Sequence, residues 1–220
     1  TKAIGMTYNG TGTGTTDVRA ENKGAGNINL SGEGSVGIYG LGNNYMLRNS
    51  AGITLGNASS IANPNVGIFS SDASITTENT GTITGGHNSI GVYGNKVTNG
   101  ANGKIKVGNA GVGVYSIGGG VDLLANSSIT VGEGEAVGVY LENGGTVTND
   151  GAMTIGDNSY GFVAKQGTNP FNFTSGAGAN ITLGKKSIYV YSSDTNGTIT
   201  NHTALTSSAD GENYGFYGAG

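Results

Sequence analysis

Apolar residues in this chain recur two apart, in short bursts separated by Gly, Asn, Ser and Thr. One burst is a repeated phrase. It reads Gly111-Val112-Gly113-Val114-Tyr115-Ser116 at mid-chain, with near-copies at Ser35–Gly40, Asn65–Ser70, Ser89–Gly94 and Ala136–Leu141. Looser copies lie at Ser159–Ala164, Ser187–Ser192 and Asn213–Gly218, and Ala3-Ile4-Gly5-Met6 is a degraded one. With the third residue of each phrase as anchor, the anchors are Gly5, Gly37, Gly67, Gly91, Gly113, Gly138, Gly161, Tyr189 and Gly215, spaced 22 to 32 residues apart. Periods of this size mark a stacked repeat architecture.

Two further segments follow each phrase. The second usually closes on Asn, as in Leu47-Arg48-Asn49, Val97-Thr98-Asn99, Leu124-Ala125-Asn126, Val147-Thr148-Asn149 and Ile199-Thr200-Asn201. The third alternates apolar and polar residues: Ile28-Asn29-Leu30, Ile53-Thr54-Leu55, Ile105-Lys106-Val107, Ile129-Thr130-Val131, Met153-Thr154-Ile155 and Ile181-Thr182-Leu183. Alternation of this kind is a strand with one buried face. A helical i, i+3, i+4, i+7 pattern never holds for two turns. Three short strands per repeat of about 25 residues predict an all-β fold, a parallel, right-handed β-helix of about 8–9 coils. The whole of 1–220 reads as a single β-helix segment. Nine anchors stacked at strand spacing make a rod on the order of 40 Å long. Propeller blades need longer repeats of four antiparallel strands, and the leucine-rich L-x-x-L-x-L frame is absent.

Alternation also assigns faces. In the phrase, the residues flanking the anchor (Val36/Ile38, Val66/Ile68, Ile90/Val92, Val112/Val114, Val137/Val139) are expected to point inward. On a regular strand the anchor Gly and the aromatic two places on then share the outer face. Tyr39, Phe69, Tyr93, Tyr115, Tyr140, Tyr191 and Tyr217 would form a ladder beside a glycine row, each ring covering a neighbouring glycine. A bend at the tyrosine would turn it inward instead. The Asn row has two mechanisms open to it: left-handed turn geometry and side-chain hydrogen bonding from coil to coil.

Composition narrows the function classes. The chain holds 44 glycines, no cysteine, no tryptophan and 11% charged residues, with a net charge of −4. Low charge suits stacked coils, where rows of like charge would repel. Disorder would favour more charge and Pro. No Lys/Arg cluster offers a footprint for nucleic acid. Without cysteine there are neither disulfides nor thiolate metal sites. The first residues are not a signal peptide, and no stretch approaches the ~18 apolar residues of a membrane span.

Catalytic chemistry finds little support. His87 and His202 lack neighbouring ligands at metal spacing. Gly156-Asp157-Asn158-Ser159 only superficially resembles a serine-hydrolase signature. Glu133 and Glu135, with Glu33 below them, are the nearest approach to a glycosidase pair, and read better as a solvated turn. The basic residues are too scattered for a lyase, and the G-G-x-G-x-D calcium repeat is absent. The outward Thr54, Thr130, Thr154 and Thr182 form a row that Lys106 interrupts, which argues against a flat ice-matching face. The chain is therefore expected to be non-enzymatic and to need no cofactor.

Binding candidates come from two sources. The period swells at Asn9–Thr16, Asn57–Asn65 and Lys165–Pro170, and insertions in a coil map to loops. From these we take Asn57, Pro64, Asn65, Lys165, Gln166, Asn169 and Pro170. Exposed aromatics stack on sugars and anchor interfaces, which adds Tyr93, Tyr115 and Tyr140. The departures from the phrase at Val163 and Tyr189 are further places to look.

The φ-G-(V/I)-Y phrases, T-N-x-G turns and I-T-φ-G strands together resemble the passenger repeats of type V autotransporters, most of all the very large fusobacterial outer-membrane adhesins. The resemblance covers essentially the whole chain. It implies a piece of a longer passenger domain, tethered to the outer membrane by a C-terminal β-barrel outside this segment. The last phrase ends without a capping segment, in keeping with that. It further implies display at the cell surface and adhesion to a protein or glycan of host cells or other bacteria. It carries no ligand motif over to particular residues.

Overall fold

The computed structural model describes residues 2–207 and 211–218. It is a parallel β-helix. Among the described residues there are 23 strands and no helix, wound into eight turns and the first strand of a ninth. The phrase forms the first strand of each coil. Along the phrase these strands pair with the phrases of the coils above and below, in the order Ile4–Thr11, Val36–Asn43, Val66–Phe69, Ile90–Asn99, Val112–Leu123, Val137–Leu141, Tyr160–Ala164, Ile188–Ser192 and Tyr214–Gly218. The third strands make a separate parallel sheet of eight. Ile90–Asn99 and Val112–Leu123 run on through the first corner into the second strand, which joins the first two columns into one sheet of 15.

The core is a set of stacked inward rows. The third strands contribute Ile53, Ile83, Ile105, Ile129, Met153 and Ile181, and the first strands Ile38, Ile68, Val92, Val114 and Val139, all fully buried. Each such side chain is worth roughly 1.5–3 kcal/mol relative to exposure. Near the seventh coil the rows turn aromatic: Phe162, Phe173 and Tyr189 meet edge to face at 4.8–5.8 Å.

The phrase does not alternate as expected. Its residue after the anchor does point inward. The residue before the anchor does not: Val66, Ile90 and Val112 form an apolar cluster apart from the core, with Val36, Val137 and the phrase aromatics packed on it. The anchor itself faces inward. A Cβ placed on Gly37 would lie 2.9 Å from the core side chain Ile53, and Tyr189, the one anchor with a side chain there, is fully buried. Two consecutive residues thus face the core, and the strand bends between two outward ones. The pairing skips the anchor in every coil, Ile90↔Val112 being followed by Val92↔Val114. The bend brings the backbones close. A Cβ on Gly113 would sit 2.5 Å from the Gly138 carbonyl oxygen, so a side chain here would force the two coils apart. The rings consequently cover the outer Val/Ile row and not the glycines.

The Asn row divides into two sets. Asn22 Nδ2 donates to Asn49 Oδ1, Asn49 to Asn79 and Asn79 to Asn99, each at 2.9 Å. This buried ladder closes the corner after the second strand. The left-handed residues are different ones: Asn44, Asn88, Asn102, Asn126 and Asn158, with φ of 51–68°. Asn126 therefore belongs to a turn, and the second strand of that coil ends at Leu123. Leu123 takes the ladder position opposite Asn99 and Asn149. Above the break, Asn149 Nδ2 donates to the Tyr189 hydroxyl at 3.2 Å, which also bonds Ser175 Oγ at 3.0 Å. Tyr189 thus departs from the phrase for a structural reason.

A third file of polar side chains closes the corner before the phrase wherever the phrase's first residue is Ser or Asn; Gly111 and Ala136 interrupt it. Asn65 accepts from Ser35 N and donates to Gly56 O, both at 2.9 Å. Ser159 Oγ donates to the carbonyls of Gly132 and Asp157.

Candidate functional site

Outside the core, one feature runs along the rod. Tyr39, Phe69, Tyr93, Tyr115 and Tyr140 are in register on successive coils. Their ring centroids are 4.8–5.2 Å apart, and the first four rings are nearly parallel. They are half-buried: one edge lies on the outer Val/Ile row and the other faces solvent. Strand pairing imposes the spacing, since the rings are one residue per coil at the same register. The tyrosine set that the sequence suggested is therefore brought together, facing outward. Burial raises the Tyr93 and Tyr115 hydroxyls above the usual phenol range, and the carboxylate of Glu142 beside them adds to it.

The stripe is interrupted once. In the seventh coil the outer residues are exchanged: Tyr160 stands in the Val/Ile row and Val163 in the ring row, opposite Tyr140 on one side and Tyr191 on the other. Tyr191 then stacks on Tyr217 at 5.5 Å and 8°. Tyr160 does not replace the missing rung, but lies edge-on to Tyr191 at 6.4 Å and 75°. The exchange leaves an open cavity of about 310 Å³ lined by Val137, Tyr140, Tyr160, Val163 and Tyr191. Sequence reasoning flagged Val163 but missed Tyr160 and the outer Val/Ile row. The signal was there: only this phrase has an aromatic second and an aliphatic fifth.

The two loops are not united with each other. Asn57–Asn65 lies before the third phrase, and Lys165–Pro170 follows the seventh. Asn65 is buried in the corner described above and is removed from the binding candidates on that ground. Asn57 is exposed but fixed, its Oδ1 accepting from His87 N at 2.9 Å, and Pro64 is half-buried. Ser59 bonds the Glu33 carboxylate through both its amide and its hydroxyl, which holds Glu33 below the usual carboxylate range. The loop's free tip is Ser60–Ala62, with Ile61 45% exposed. In the second loop all of 165–170 is exposed. Its backbone is tied down: Lys165 N donates to Leu141 O at 2.9 Å and Gln166 N to Ser193 Oγ at 3.0 Å. Asn169 Nδ2 donates to Gly118 O at 3.2 Å. Lys165 and Gln166 leave the strand just past Val163, beside the interruption. The remaining swelling, Asn9–Thr16, continues the strand Ile4–Thr11 and then folds over the outer face of the second strands, where Thr15 O accepts from Thr76 Oγ1.

The groups weighed for catalysis are dispersed or occupied. His87 Nδ1 accepts from Asn109 N at 3.1 Å in a turn, and Glu135 sits in a left-handed turn at φ 66°. Ser159 is buried. Among the described residues no three His, Asp or Glu side chains gather where they could hold a metal ion. The outward Thr row continues through Thr84 and Thr206 and is crossed by Lys106.

Fold and surface together define a parallel β-solenoid with an outer aromatic stripe. No protein-family model matches the chain, and no curated protein or solved structure is significantly similar to it.

Proposed function

We propose that the chain is a passenger segment of a non-enzymatic bacterial surface adhesin. In this reading a C-terminal β-barrel outside the segment tethers it to the outer membrane, and it attaches the cell to proteins or glycans of host cells or other bacteria. The observation that carries the reading is the stripe. Five stacked rings and the Val/Ile row beneath them put contiguous apolar surface on the outside of a rigid rod, where the core has no need of it. Patches of that kind mark interaction sites. The repeat-by-repeat resemblance to autotransporter passengers supplies the setting.

The same stacking favours a second reading, a passive stalk in which the rings serve only to hold coils together. Attachment of the purified chain, on beads, to epithelial cells and to partner bacteria separates the two. The adhesin reading expects saturable attachment that the free chain competes. It also expects Tyr93→Ser with Tyr115→Ser to cut attachment at least tenfold while the circular dichroism stays that of a β-protein. Attachment no better than that of bare beads makes the segment a stalk. Replacing the exposed tip Ser60–Ala62 with glycines should leave attachment intact; its loss there would move the site to the loop.

A further inference from the structure

The interruption of the stripe has the dimensions of one ring. Neighbouring coils are about 4.8 Å apart, so Tyr140 and Tyr191, two coils apart across Val163, stand about 10 Å from each other. A ring between them would lie about 4.8 Å from each, the spacing that Tyr93, Tyr115 and Tyr140 keep among themselves. The floor is Val137 and Val163, Tyr160 closes one side, and the mouth is open. Stacking does not require the vacancy. A tyrosine at 163 with a valine at 160 would continue both outer rows as in the preceding coil.

We infer that this slot, between Tyr140 and Tyr191 over Val163, binds one pyranose ring of an uncharged glycan. This deepens the adhesin reading and rests on it. A pyranose presents C–H groups on both faces, which suits two aromatic walls. Its hydroxyls lie around the rim, where the open mouth leaves them in water. They also come within reach of the hydroxyls of the lining tyrosines. None of the five lining side chains carries a charge at neutral pH, so an ionised sugar has no partner in the slot itself. An aromatic side chain of a polypeptide would match the walls equally well. It would arrive, however, on a backbone that finds no strand edge to pair with here, and so would gain the ring contact alone. The strand beneath the slot has no free edge to offer, because Tyr160–Ala164 is paired on one side with Val137–Leu141 and on the other with Ile188–Ser192. That decides for the sugar.

The test is titration of the whole chain with methyl pyranosides of glucose, galactose, mannose, N-acetylglucosamine and N-acetylgalactosamine, and with their β-linked and α-linked disaccharides. Saturation-transfer NMR and calorimetry read binding. At least one sugar should bind, with ring C–H protons taking most of the transferred saturation. Val163→Tyr, which fills the vacancy, and Tyr191→Ala, which removes a wall, should each weaken that binding at least tenfold. Val163→Ala should keep it within about threefold. If Val163→Tyr binds as well as the parent, the sugar lies elsewhere and the inference is wrong. It is equally wrong if no sugar binds, or if an aromatic hexapeptide binds in a Val163-dependent way and the sugars do not. Cell attachment that persists in Val163→Tyr and resists the sugars would leave the adhesin reading standing without this slot. Sugar binding without cell attachment would do the reverse.

Discussion

Gly113→Ala tests the inward bend of the phrase most directly. The added methyl would sit 2.5 Å from the Gly138 carbonyl oxygen and 2.8 Å from Ile129 Cγ2. A carbon–oxygen contact relaxes at about 3.3 Å, so the two coils must part by roughly 0.8 Å. Yet Val112↔Val137 and Val114↔Val139 hold them together on either side of the anchor. Forcing an extra methyl into packed surroundings costs about 1–3 kcal/mol. Two contacts at once, one of them backbone, put this case at about 2–3 kcal/mol. For a chain of this length that lowers the melting temperature by roughly 4–12 °C. Gly178→Ala is the matched control, because its methyl meets nothing within 4 Å and its backbone is not left-handed. Its expected effect is between zero and a gain of about 1 kcal/mol, through the unfolded chain. Thermal melts by circular dichroism give both values. Hydrogen exchange locates the damage, which in a solenoid belongs to the coils that touch: amides of Val112–Ser116 and Val137–Leu141 should lose protection first. Had the anchor faced solvent, Gly113→Ala would resemble Gly178→Ala. Melting temperatures for the two variants within about 2 °C of each other would refute the inward register.

The ladder predicts a positional effect. Asn79→Ala strands Asn99 Oδ1 and one bond of Asn49 Nδ2 in the interior and should cost about 2–4 kcal/mol in urea unfolding. Asn22→Ala, at the ladder's end, should cost less, and equal costs would mean that the ladder is not acting as a chain of bonds. Alkaline titration followed at 295 nm should show late tyrosines. Burial pushes Tyr45 up to about 12, and raises Tyr93, Tyr115 and Tyr189 as well. The folded state therefore holds these protons more tightly than the unfolded chain. Their contribution to stability is complete below pH about 10 and is lost as pH rises toward about 12. A urea midpoint that does not fall over that range, or that falls no less in Tyr45→Phe, would count against it.

The period, the three strands and the inner row of the third strand were all legible, because there a polar residue separates two apolar ones and only one face can be buried. The phrase was less legible for a definite reason. Its anchor has no side chain to declare a direction, and it is flanked by apolar residues on both faces, so regular alternation offered an assignment that the bend overturns. Leu123 illustrates a related ambiguity. Of the adjacent Leu123 and Leu124, the one followed two places on by Asn looked like the match to the other coils. A slip of one residue exchanges faces, and Val121-Asp122-Leu123 is the run that keeps the alternation; Leu124 is 42% exposed. The tyrosine ladder was readable from spacing alone, since in-register parallel coils must stack equivalent residues. Asn65 was not, because a corner-closing Asn and a loop Asn look alike until the hydrogen bonds to Ser35 and Gly56 are seen.

The exchange of Tyr160 and Val163 separates scaffold from function in energetic terms. Inner rows are dictated by the core, but the two outer rows are bounded by solvent, and either residue is accommodated in either. Placing valine at 163 forfeits two ring contacts, to Tyr140 and to Tyr191. Such contacts are worth about 0.5–1.5 kcal/mol each beyond the area they bury. The edge-on contact of Tyr160 with Tyr191 recovers one at most. Completing the ladder with the double variant Tyr160→Val, Val163→Tyr should therefore stabilise the chain by about 0.5–2 kcal/mol, or roughly 1–8 °C in melting temperature. The same variant should lose the sugar response, since the ring that stabilises the coil occupies the slot. A gain in stability with a loss of binding is what a functional departure from an otherwise regular repeat entails. If the double variant is no more stable than the parent, ring stacking contributes nothing along the stripe, and the vacancy has no energetic meaning.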